Sequence, residues 1–591
     1  MQFPVLFALS LLTSATAQVQ VPDWARDAVW YQIYPERFRN GDPTNDPTRV
    51  EVVSRNNWQI SPWTNDWYQL SEEERQTGKN FYATVNDRRY GGDLQGVIDK
   101  LDYLAGLGIN TIYLNPIFEA FSHHKYDAST LHHVDNNFGP DPQGDLELMR
   151  AEDFTAADWK WSAADKLFLE LLQQAHRRHL RVIIDGVFNH VGTRFAPFQD
   201  VVRLQQASKY TNWFKILKWD DPTTAQNEFD YQGWWGYKSL PELRQDTNGL
   251  VAGPRDYIFE ITRRWMDPNG DGDPSDGVDG WRLDVANQIA HPFWRDWRQL
   301  VKSINPNAII IGEIWEDAGP WLQGDEFDGV MNYRFAKAAV RFFIDTGSRR
   351  FSVSEFDREL AQVRHSQPEP VNEVMLNLYD SHDTDRLASM IKNPNREYDR
   401  DGSPRGNTNY DISKPTARDR QVQKLMALFQ TTYVGVPMIY YGTEAGMWGA
   451  DDPDDRKPMV WADLKYQSES TDPRHRERPT DTVAFDSDLF AWYQRLFQIR
   501  HDEVALRRGD FRTLLGDDGK QLYAFERTSG EDSIIVVLNN SWSAQTATVS
   551  ATRRYRDLLT GKIFNPKQNQ ISLKSPGKMG VILKAQSTAE K

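Results

Sequence analysis

The chain has 591 residues, more than a single compact core accommodates, so two or three domains are expected. It carries 69 Lys and Arg against 84 Asp and Glu, a formal net charge of −15, and so acidic a surface argues against nucleic-acid or anionic-membrane partners. The absence of cysteine excludes disulfides, thiol catalysis and thiolate metal sites.

The first residues have the pattern of a secretory signal peptide. An apolar run ends in Ala15-Thr16-Ala17, the small-x-small pattern that signal peptidase recognises. We expect cleavage after about Ala17, hence a signal peptide over 1–17 and a secreted or periplasmic mature protein. A buried first helix is the alternative. The run is too short to span a bilayer, and no later stretch approaches a span's length, so no membrane span is expected.

Short β-branched or aromatic runs alternate with amphipathic helical patterns through most of the chain. Eight such runs predict strands, at 28–35, 109–116, 181–189, 280–286, 308–315, 327–332, 374–380 and 436–442. Strands separated by helices form parallel sheets, and eight of them predict closure into a (β/α)8 TIM barrel. We expect this α/β barrel to occupy about residues 22–500.

Two connections of the predicted barrel are longer than ordinary loops between strands and helices. The segment 117–163 joins the second and third strands. The segment 190–252 follows the third strand, is rich in Trp, Gly and Pro, and predicts a small inserted domain. After about residue 503 the helical pattern stops, and alternating runs predict an antiparallel β-sandwich over 504–586.

Charged residues cluster at the carboxyl ends of the predicted strands, where barrel enzymes place their reactive groups. Arg282 and Asp284 lie two residues apart on one face of a core strand, and buried charges are costly unless they are paired or take part in chemistry. The residues at the other strand ends are Asp185, Asn189 and His190 (third), Glu313 (fifth), and His382 and Asp383 (seventh). We expect these carboxylates, two histidines and one arginine to meet on one rim.

A pair of carboxyl groups on neighbouring strands suits glycoside hydrolysis. Neighbouring strands lie about 4.8 Å apart, so Asp284 and Glu313 are expected near the roughly 5–5.5 Å separation of retaining enzymes. Arg282 is expected to keep Asp284 ionised, as a nucleophile requires. Glu313 is flanked by Ile314 and Trp315, an apolar setting that suits a general acid.

The motifs DGVFNH, GWRLDVAN, GEIW and DSHD, in this order and on these strands, resemble the conserved regions of the α-amylase superfamily of glycoside hydrolases. The resemblance covers nearly all of the mature chain. It implies that Asp284 is the nucleophile, that Glu313 is the general acid/base, and that Asp383 orients the sugar and stabilises the transition state. It further implies that the residues binding or supporting the sugar at the cleavage site are Tyr126, Asp185, His190, Arg282 and His382.

Further motifs resemble the neopullulanase, cyclomaltodextrinase and maltogenic amylase group within that superfamily. They are WYQIYPERFRNGDPTNDP, YGGDLQG, HKYD, VMNY and DDPDDRKPMVW. The resemblance implies that Asp452 and Arg456 bind glucose units beyond the cleavage site, with a surface ion pair as the alternative. Because the barrel motifs begin directly after the leader, we expect the N-terminal starch-binding domain of that group to be absent.

The expected activity is retaining, endo-type hydrolysis of α-1,4-glucosidic bonds in maltodextrins, cyclodextrins, pullulan or starch. A secreted α-amylase acting on starch and a 4-α-glucan transglycosylase share this chemistry and stay open as alternatives. A non-catalytic sugar-binding protein would be expected to lose a catalytic carboxylate or a sugar-binding histidine, and all of them are present. The expected partner is therefore an α-glucan oligosaccharide or polysaccharide, and the sequence leaves the oligomeric state open.

Two stretches rich in Asp and Asn are candidate sites for a structural Ca²⁺, which takes six to eight oxygen ligands. The first stretch, 39–47, offers Asn40, Asp42, Asn45 and Asp46, and the resemblance adds the carbonyl of Gly91 and the carboxylate of Asp93. The second, 267–277, offers Asp267, Asn269 and Asp271 with the spacing of the start of an EF-hand loop, but it lacks the Glu at position twelve. A turn without metal is the alternative for the first stretch, and the second is the weaker candidate.

Overall fold

A computed structural model describes residues 19–52 and 57–586 of the chain. The predicted signal peptide lies outside the described residues. Among the helices that are described, none combines the length and the apolar character needed to cross a lipid bilayer.

Eight short parallel strands form the central barrel. In chain order they are β1 (Trp30–Ile33), β2 (Thr111–Leu114), β3 (Arg181–Gly186), β4 (Gly280–Leu283), β5 (Ile309–Gly312), β6 (Gly329–Val330), β7 (Leu376–Asn377) and β8 (Val436–Tyr440). Hydrogen-bonded neighbours run in the order β6-β5-β4-β3-β2-β1-β8-β7. A parallel bridge between Met331 and Leu376 links the two ends of this order and brings the barrel close to closure. The predicted (β/α)8 fold is confirmed.

Helices fill the connections between the barrel strands. Those of six residues or more are Leu94–Asp99, Leu101–Leu107, Pro142–Ala151, Ala163–His176, Ala196–Leu204, Ala252–Met266, His291–Ile304, Tyr333–Ala339, Val353–His365, Leu387–Lys392 and Ala417–Thr432, and Ser487–Asp502 follows β8. The shorter ones are Pro35–Phe38, Arg49–Val52, Glu72–Gln76 and Glu369–Asn372, with a π-helical turn at Val340–Ile344. Capping boxes begin three of the long helices, where Ser162, Ser352 and Thr416 accept the N–H three residues further on.

The segment between β3 and the helix Ala252–Met266 folds into a small unit beside the barrel. It contains the helix Ala196–Leu204 and two antiparallel ribbons. One ribbon pairs Ile216–Lys218 with Asp230–Tyr231, and the other pairs Gln245–Asp246 with Gly249–Leu250. A bridge between His190 and Glu242 ties this unit to the carboxyl end of β3. The inserted segment therefore adjoins the rim where the sequence places the reactive groups.

The C-terminal part is antiparallel β-structure. Its strands are β9 (Asp510–Asp517), β10 (Leu522–Ser529), β11 (Asp532–Asn539), β12 (Gln545–Ser550), β13 (Tyr555–Asp557), β14 (Ile563–Phe564), β15 (Gln570–Ser575) and β16 (Met579–Ala585). Six form a sheet in the order β9-β10-β11-β16-β13-β14, and β12 pairs with β15. Buried apolar side chains such as Val537 and Leu573 pack between the two layers. The strands begin at residue 510 rather than 504, because Val504–Arg508 is a helix with Ala505 and Leu506 buried.

Candidate active site

Arg282 is the centre of a network of charges at the carboxyl ends of β3, β4 and β5. Its Nη1 lies 3.0 Å from both carboxylate oxygens of Asp185 and 3.1 Å from Oδ1 of Asp284. Its Nη2 lies 3.0 Å from Oε2 of Glu313. One buried guanidinium thus pairs with three carboxylates from three adjacent strands, and this pairing offsets the cost of burying each charge. This pairing explains why Arg282 in β4 and Asp284, just after it, lie on one face.

The charge state of Asp284 is set by opposing influences. Burial raises the pKa of Asp284 well above its usual range, and the negative charge of Glu313 raises it further. Arg282 acts in the opposite direction. Arg282 therefore favours the ionised form of Asp284, as expected from the sequence, but it opposes a larger effect of burial. Positive charge developing on a bound sugar would add to Arg282 in favouring the carboxylate.

Glu313 is fixed in position by donors on both of its oxygens. The backbone N–H of Val285 donates to Oε2 over 2.9 Å, and the indole N–H of Trp315 donates to Oε1 over 3.0 Å. The Trp315 ring stacks on Tyr333, with centroids 3.8 Å apart and planes 7° from parallel. Two hydrogen-bond donors and Arg282 therefore hold Glu313, which is a polar setting rather than the apolar one expected from Ile314 and Trp315.

Tyr126 and His382 form one wall of the site. Their rings are within 4° of parallel, with centroids 5.2 Å apart. The side-chain amide of Gln32 donates to Nδ1 of His382 over 2.9 Å, so Nε2 of His382 carries the proton and donates to the Tyr126 hydroxyl, 2.6 Å away. That hydroxyl donates in turn to Oδ2 of Asp185 over 2.9 Å. Burial lowers the pKa of His382 well below its usual range, which keeps the imidazole neutral in this chain of hydrogen bonds.

His190 faces the insertion rather than the hydrogen-bond network. Its side chain is buried, and neither ring nitrogen makes a well-formed hydrogen bond to the residues that the structure describes. The ring stacks on Trp234 with centroids 5.0 Å apart, and Trp234 stacks on Trp235 at 4.6 Å. Burial lowers the pKa of His190 to about 3, so the imidazole is neutral. A buried neutral imidazole with free polar atoms is suited to bind a polar ligand.

Asp383 follows β7 and lies close to both His382 and Arg456. Its Oδ1 is 3.3 Å from Nε2 of His382 and 3.6 Å from Nη2 of Arg456. Arg456 also contacts Oδ1 of Asp452 at 3.0 Å and donates from Nε to the His382 carbonyl over 2.8 Å. Burial, followed by the charge of Glu313, raises the pKa of Asp383 to about 7. Arg456 is buried whereas 49% of the Asp452 side chain is exposed, so the ion pair is half-buried, and binding of glucose units by these two residues stays a prediction.

Several residues of this site were not singled out from the sequence. Gln32 in β1 and Asn115 after β2 are buried polar residues, and the Gln32 amide donates to Asn115 Oδ1 over 2.9 Å. Tyr113 in β2 donates to Oδ2 of Asp185 over 2.6 Å. Their position at or near strand ends is the signal that would have found them, since the same rule located Asp185. Nothing comparable in the sequence places Trp234 against His190.

The first candidate calcium stretch folds around the carboxylate of Asp93. This carboxylate accepts the N–H groups of Gly41, at 3.1 Å, and Asp42, at 2.8 Å. It also caps the helix Leu94–Asp99 by accepting the Gly96 N–H over 2.6 Å. Asp42 accepts the N–H of Thr44 over 3.0 Å. These bonds shape the turn and leave other oxygens to act as ligands.

Two side-chain oxygens of the same stretch are left without a hydrogen-bond partner among the described residues. They belong to Asn40 and Asn45, and both are buried. Burial raises the pKa of Asp46 to about 6, and the charge of Asp93 contributes. Gly91 adopts φ +74°, and a Cβ at that position would lie 1.9 Å from Oδ1 of Asp46. The donor set and this close approach fit a hard cation such as Ca²⁺.

The second candidate stretch is closed largely by its own hydrogen bonds. Oδ2 of Asp267 accepts the N–H of Gly272 over 3.0 Å, and Oδ1 of Asn269 accepts the N–H of Asp271 over 2.8 Å. Asn269 and Asp271 are exposed, and one oxygen of Asp267 is buried without a partner among the described residues. This geometry fits a turn closed by Asp and Asn side chains (an Asx turn) better than an EF-hand loop. Calcium binding there stays a prediction.

Two protein families match consecutive parts of the chain. Residues 32–509 match the family model for the alpha amylase catalytic domain. The chain belongs to the α-amylase family. Residues 511–578 match the maltogenic amylase C-terminal domain, which falls on the antiparallel strands described above. The resemblance inferred from DGVFNH, GWRLDVAN, GEIW and DSHD is confirmed, and the protein is a glycoside hydrolase of this family.

Other α-amylase-family members are similar over nearly the whole chain. Neopullulanase 2 of Thermoactinomyces vulgaris is 36% identical over 567 residues, which cover 95% of this chain and 78% of that protein. A cyclomaltodextrinase of Geobacillus thermopakistaniensis is 35% identical over 577 residues, covering 97% and 78% respectively.

Solved structures show the same similarity. A cyclomaltodextrinase structure superposes with a TM-score of 0.70 at 31% identity, covering 96% of this chain and 79% of that one. The cyclic α-maltosyl-(1→6)-maltose hydrolase of Arthrobacter globiformis superposes with a TM-score of 0.69 at 26% identity, covering 96% and 100%. The expected similarity to the neopullulanase and cyclomaltodextrinase group is confirmed.

Proposed function

We propose that this α-amylase-family enzyme hydrolyses α-1,4-glucosidic bonds in short or cyclic α-glucans and retains the α-configuration. The observation that carries the proposal is the pairing of Asp284 and Glu313 with the two terminal nitrogens of the Arg282 guanidinium. Two carboxylates that share one guanidinium favour the short separation of retaining glycosidases over the wider one of inverting enzymes, which leave room for a water between them.

The geometry supports a separate role for each carboxylate. Asp284 attacks the anomeric carbon while Glu313 protonates the departing glycosidic oxygen, so that a glycosyl-enzyme ester forms as the glycosidic bond breaks. Glu313 then removes a proton from water, which attacks the same carbon and releases Asp284. Asp383 lies beside His382, where a carboxylate can bond the sugar hydroxyls and stabilise positive charge on the ring.

The segment inserted after β3 supports a proposal for substrate preference. The rings of His190, Trp234 and Trp235 stack in series from the buried site to solvent, and Trp235 is 74% exposed. Flat exposed rings bind the apolar faces of sugar units. Together with relatives named neopullulanase and cyclomaltodextrinase, this series favours cyclodextrins, pullulan and short maltodextrins over long amylose.

Two measurements test the proposed function. Proton NMR of the first product formed from maltoheptaose should show the α-anomer, and an initial β-anomer would refute the retaining mechanism. The kcat/KM values on β-cyclodextrin, pullulan and soluble starch should favour the first two, and a clear preference for starch would make the protein an α-amylase of the ordinary type. Transfer products longer than the substrate as the main product would assign it instead to the transglycosylases.

We also propose a structural Ca²⁺ at the first candidate stretch. The ligands would be Asn40, Asn45 and Asp46 through their side chains and Gly91 through its carbonyl. Asp42 and Asp93 would shape the turn and add negative charge, because their carboxylates already accept backbone N–H groups. The support is the pair of buried amide oxygens of Asn40 and Asn45, which have no other partner in the described chain. Buried polar oxygens are normally satisfied by a hydrogen bond or a bound ion, and a cation would satisfy these two.

Export of the protein is proposed from the sequence pattern at the N-terminus. The apolar run and Ala15-Thr16-Ala17 predict removal of about 17 residues and release into the periplasm or the medium. N-terminal sequencing of the protein recovered from its native host tests this directly. A mature protein that still begins at Met1 would refute it.

A further inference from the structure

His132, His133 and Glu152 form a second polar cluster, in the long segment that joins β2 to β3. None of them belongs to the site around Arg282. Nε2 of His133 lies 2.6 Å from Oε2 of Glu152, and Nε2 of His132 lies 3.5 Å from the same oxygen. No more than 5% of any of the three side chains is exposed. Two imidazole nitrogens and one carboxylate oxygen therefore converge on one point.

Both histidines are oriented by a partner on the opposite ring nitrogen. Nδ1 of His133 lies 2.8 Å from Oδ2 of Asp165. Nδ1 of His132 lies 2.7 Å from Oγ1 of Thr130 and 2.9 Å from the hydroxyl of Tyr257. Partners of this kind fix the tautomer of a metal-binding histidine and direct its other nitrogen toward the ion.

Glu152 is fixed in the same manner. Its second oxygen, Oε1, accepts the backbone N–H of Lys160, so that Oε2 is the oxygen presented to the imidazoles. The Trp159 ring stacks on His132 with centroids 4.2 Å apart and planes within 7° of parallel. The chain from Glu152 to Lys160 thus folds over the histidines and closes the cluster from one side.

We propose that His132, His133 and Glu152 bind one divalent transition-metal cation of the Zn²⁺ type. Two imidazoles and one carboxylate are a ligand set of such ions, whereas Ca²⁺ and Mg²⁺ prefer oxygen alone. The bound ion joins the chain after β2 to the chain before the helix Ala163–His176, and water completes its coordination. Its role is to fix the long β2–β3 segment against the barrel.

A metal-free ion pair accounts for only part of this geometry. A protonated His133 between Asp165 and Glu152 would satisfy both of its nitrogens. It would leave Nε2 of His132 facing the same carboxylate oxygen at 3.5 Å, longer than a good hydrogen bond between these atoms. One ion between the three groups explains why both Nε2 atoms face a single oxygen.

Zinc binding to the full-length, tag-free protein tests the proposal. The protein is stripped with a chelator and returned to buffer containing excess Ca²⁺, which keeps oxygen-rich sites filled. Titration calorimetry with Zn²⁺ and elemental analysis should then show one tightly bound zinc per chain. His132→Gln and Glu152→Gln should each weaken that binding by roughly a hundredfold or more, since each removes a ligand. The control is His365→Gln, which changes an exposed histidine and should leave zinc binding unchanged.

Two further measurements separate coordination from general effects on folding. Thr130→Val removes one of the two hydroxyls that contact Nδ1 of His132, so zinc affinity should fall by roughly 10-fold or more. Anomalous diffraction at the zinc edge from wild-type crystals should place the ion between the three ligands, and it needs no variant to fold. Zinc stoichiometry that is the same in both ligand variants as in wild type, or an anomalous peak found only elsewhere, would overturn the proposal.

Discussion

The backbone N–H of Val285 donates a hydrogen bond to Oε2 of Glu313, with the two atoms 2.9 Å apart. Val285 directly follows Asp284, so the turn that ends β4 fixes both carboxylates of the proposed reaction. The turn requires φ 38° and ψ 45° at Val285, a left-handed conformation that β-branched residues rarely adopt. Such strain costs on the order of 1–3 kcal/mol. Strained residues of this kind are held by the surrounding structure and cluster at active sites.

Replacing either carboxylate of the pair should abolish most activity. Asp284→Asn and Glu313→Gln remove the nucleophile and the proton donor, so kcat/KM on a maltodextrin should fall by roughly 10⁴-fold in each case. Thermal unfolding is the control, and each variant should unfold cooperatively near the wild-type temperature, because Asn and Gln keep the side-chain volume and Arg282 keeps two of its three carboxylate partners. Near-normal turnover by a folded variant would show that the role assigned to that residue is wrong.

Asp383→Asn should lower activity and, at high pH, raise the free energy of unfolding. The pKa of Asp383 is about 7 in the folded protein, against roughly 3.9 in an unfolded chain. Between these values the folded state holds a proton that the unfolded state has lost, so the stability contributed by Asp383 falls as pH rises from about 4 to 7.

The asparagine variant lacks this titration. It should therefore gain free energy of unfolding relative to wild type at pH 8 and show little gain at pH 4, measured by denaturant unfolding. Its activity should nevertheless be very low at both pH values. A stability difference that is equal at the two pH values would show that Asp383 titrates normally.

The sequence predicted the order of all eight barrel strands because buried parallel strands appear as short apolar runs and the helices between them are amphipathic. It also predicted that Asp185, Arg282, Asp284 and Glu313 meet, since strand ends of a barrel share one rim. The contact of Glu313 with Val285 was beyond prediction, because it depends on a local backbone conformation that no residue pattern encodes.

The same limit applies to residues brought together by long loops. Trp234 lies 44 positions beyond His190, and only the folding of the insertion stacks their rings. His132 and Glu152 meet for a similar reason, as the chain between them folds back on itself. Local patterns predict elements and their ends, whereas tertiary contacts between loops decide which polar side chains become neighbours.

Removal of calcium should lower thermal stability. An ion that binds only the folded state stabilises by about 2.7 kcal/mol when its free concentration is a hundredfold above Kd. A chelator such as EGTA, which also removes Zn²⁺, should therefore lower Tm, and added Ca²⁺ without Zn²⁺ should restore the part that calcium contributes. An unchanged melting curve in chelator, together with no calcium by elemental analysis, would refute the site.

Gly91→Ala tests the location of that calcium. A Cβ at Gly91 would lie 1.9 Å from Oδ1 of Asp46, and φ +74° disfavours any other residue, so the variant should melt at a lower temperature and lose its response to Ca²⁺. Gly106→Ala is the matched control, because Gly106 lies in the helix Leu101–Leu107 with open space around it. The free energy of unfolding of Gly106→Ala should rise by about 0.4–1 kcal/mol, and its response to Ca²⁺ should be unchanged. A normal calcium response in Gly91→Ala would place the ion elsewhere.

Trp235→Ala should weaken substrate binding without altering the chemical step. Trp235 is 74% exposed and stacks on Trp234 with centroids 4.6 Å apart. The rings of Trp234 and His190 lie between it and the buried site. Loss of a ring contact worth about 0.5–1.5 kcal/mol predicts a KM for β-cyclodextrin raised roughly 2- to 12-fold, with kcat unchanged. Trp542→Ala removes another exposed tryptophan, in the C-terminal β-structure, and should change neither constant. A fall in kcat with KM unchanged would show that Trp235 acts on the reaction rather than on binding.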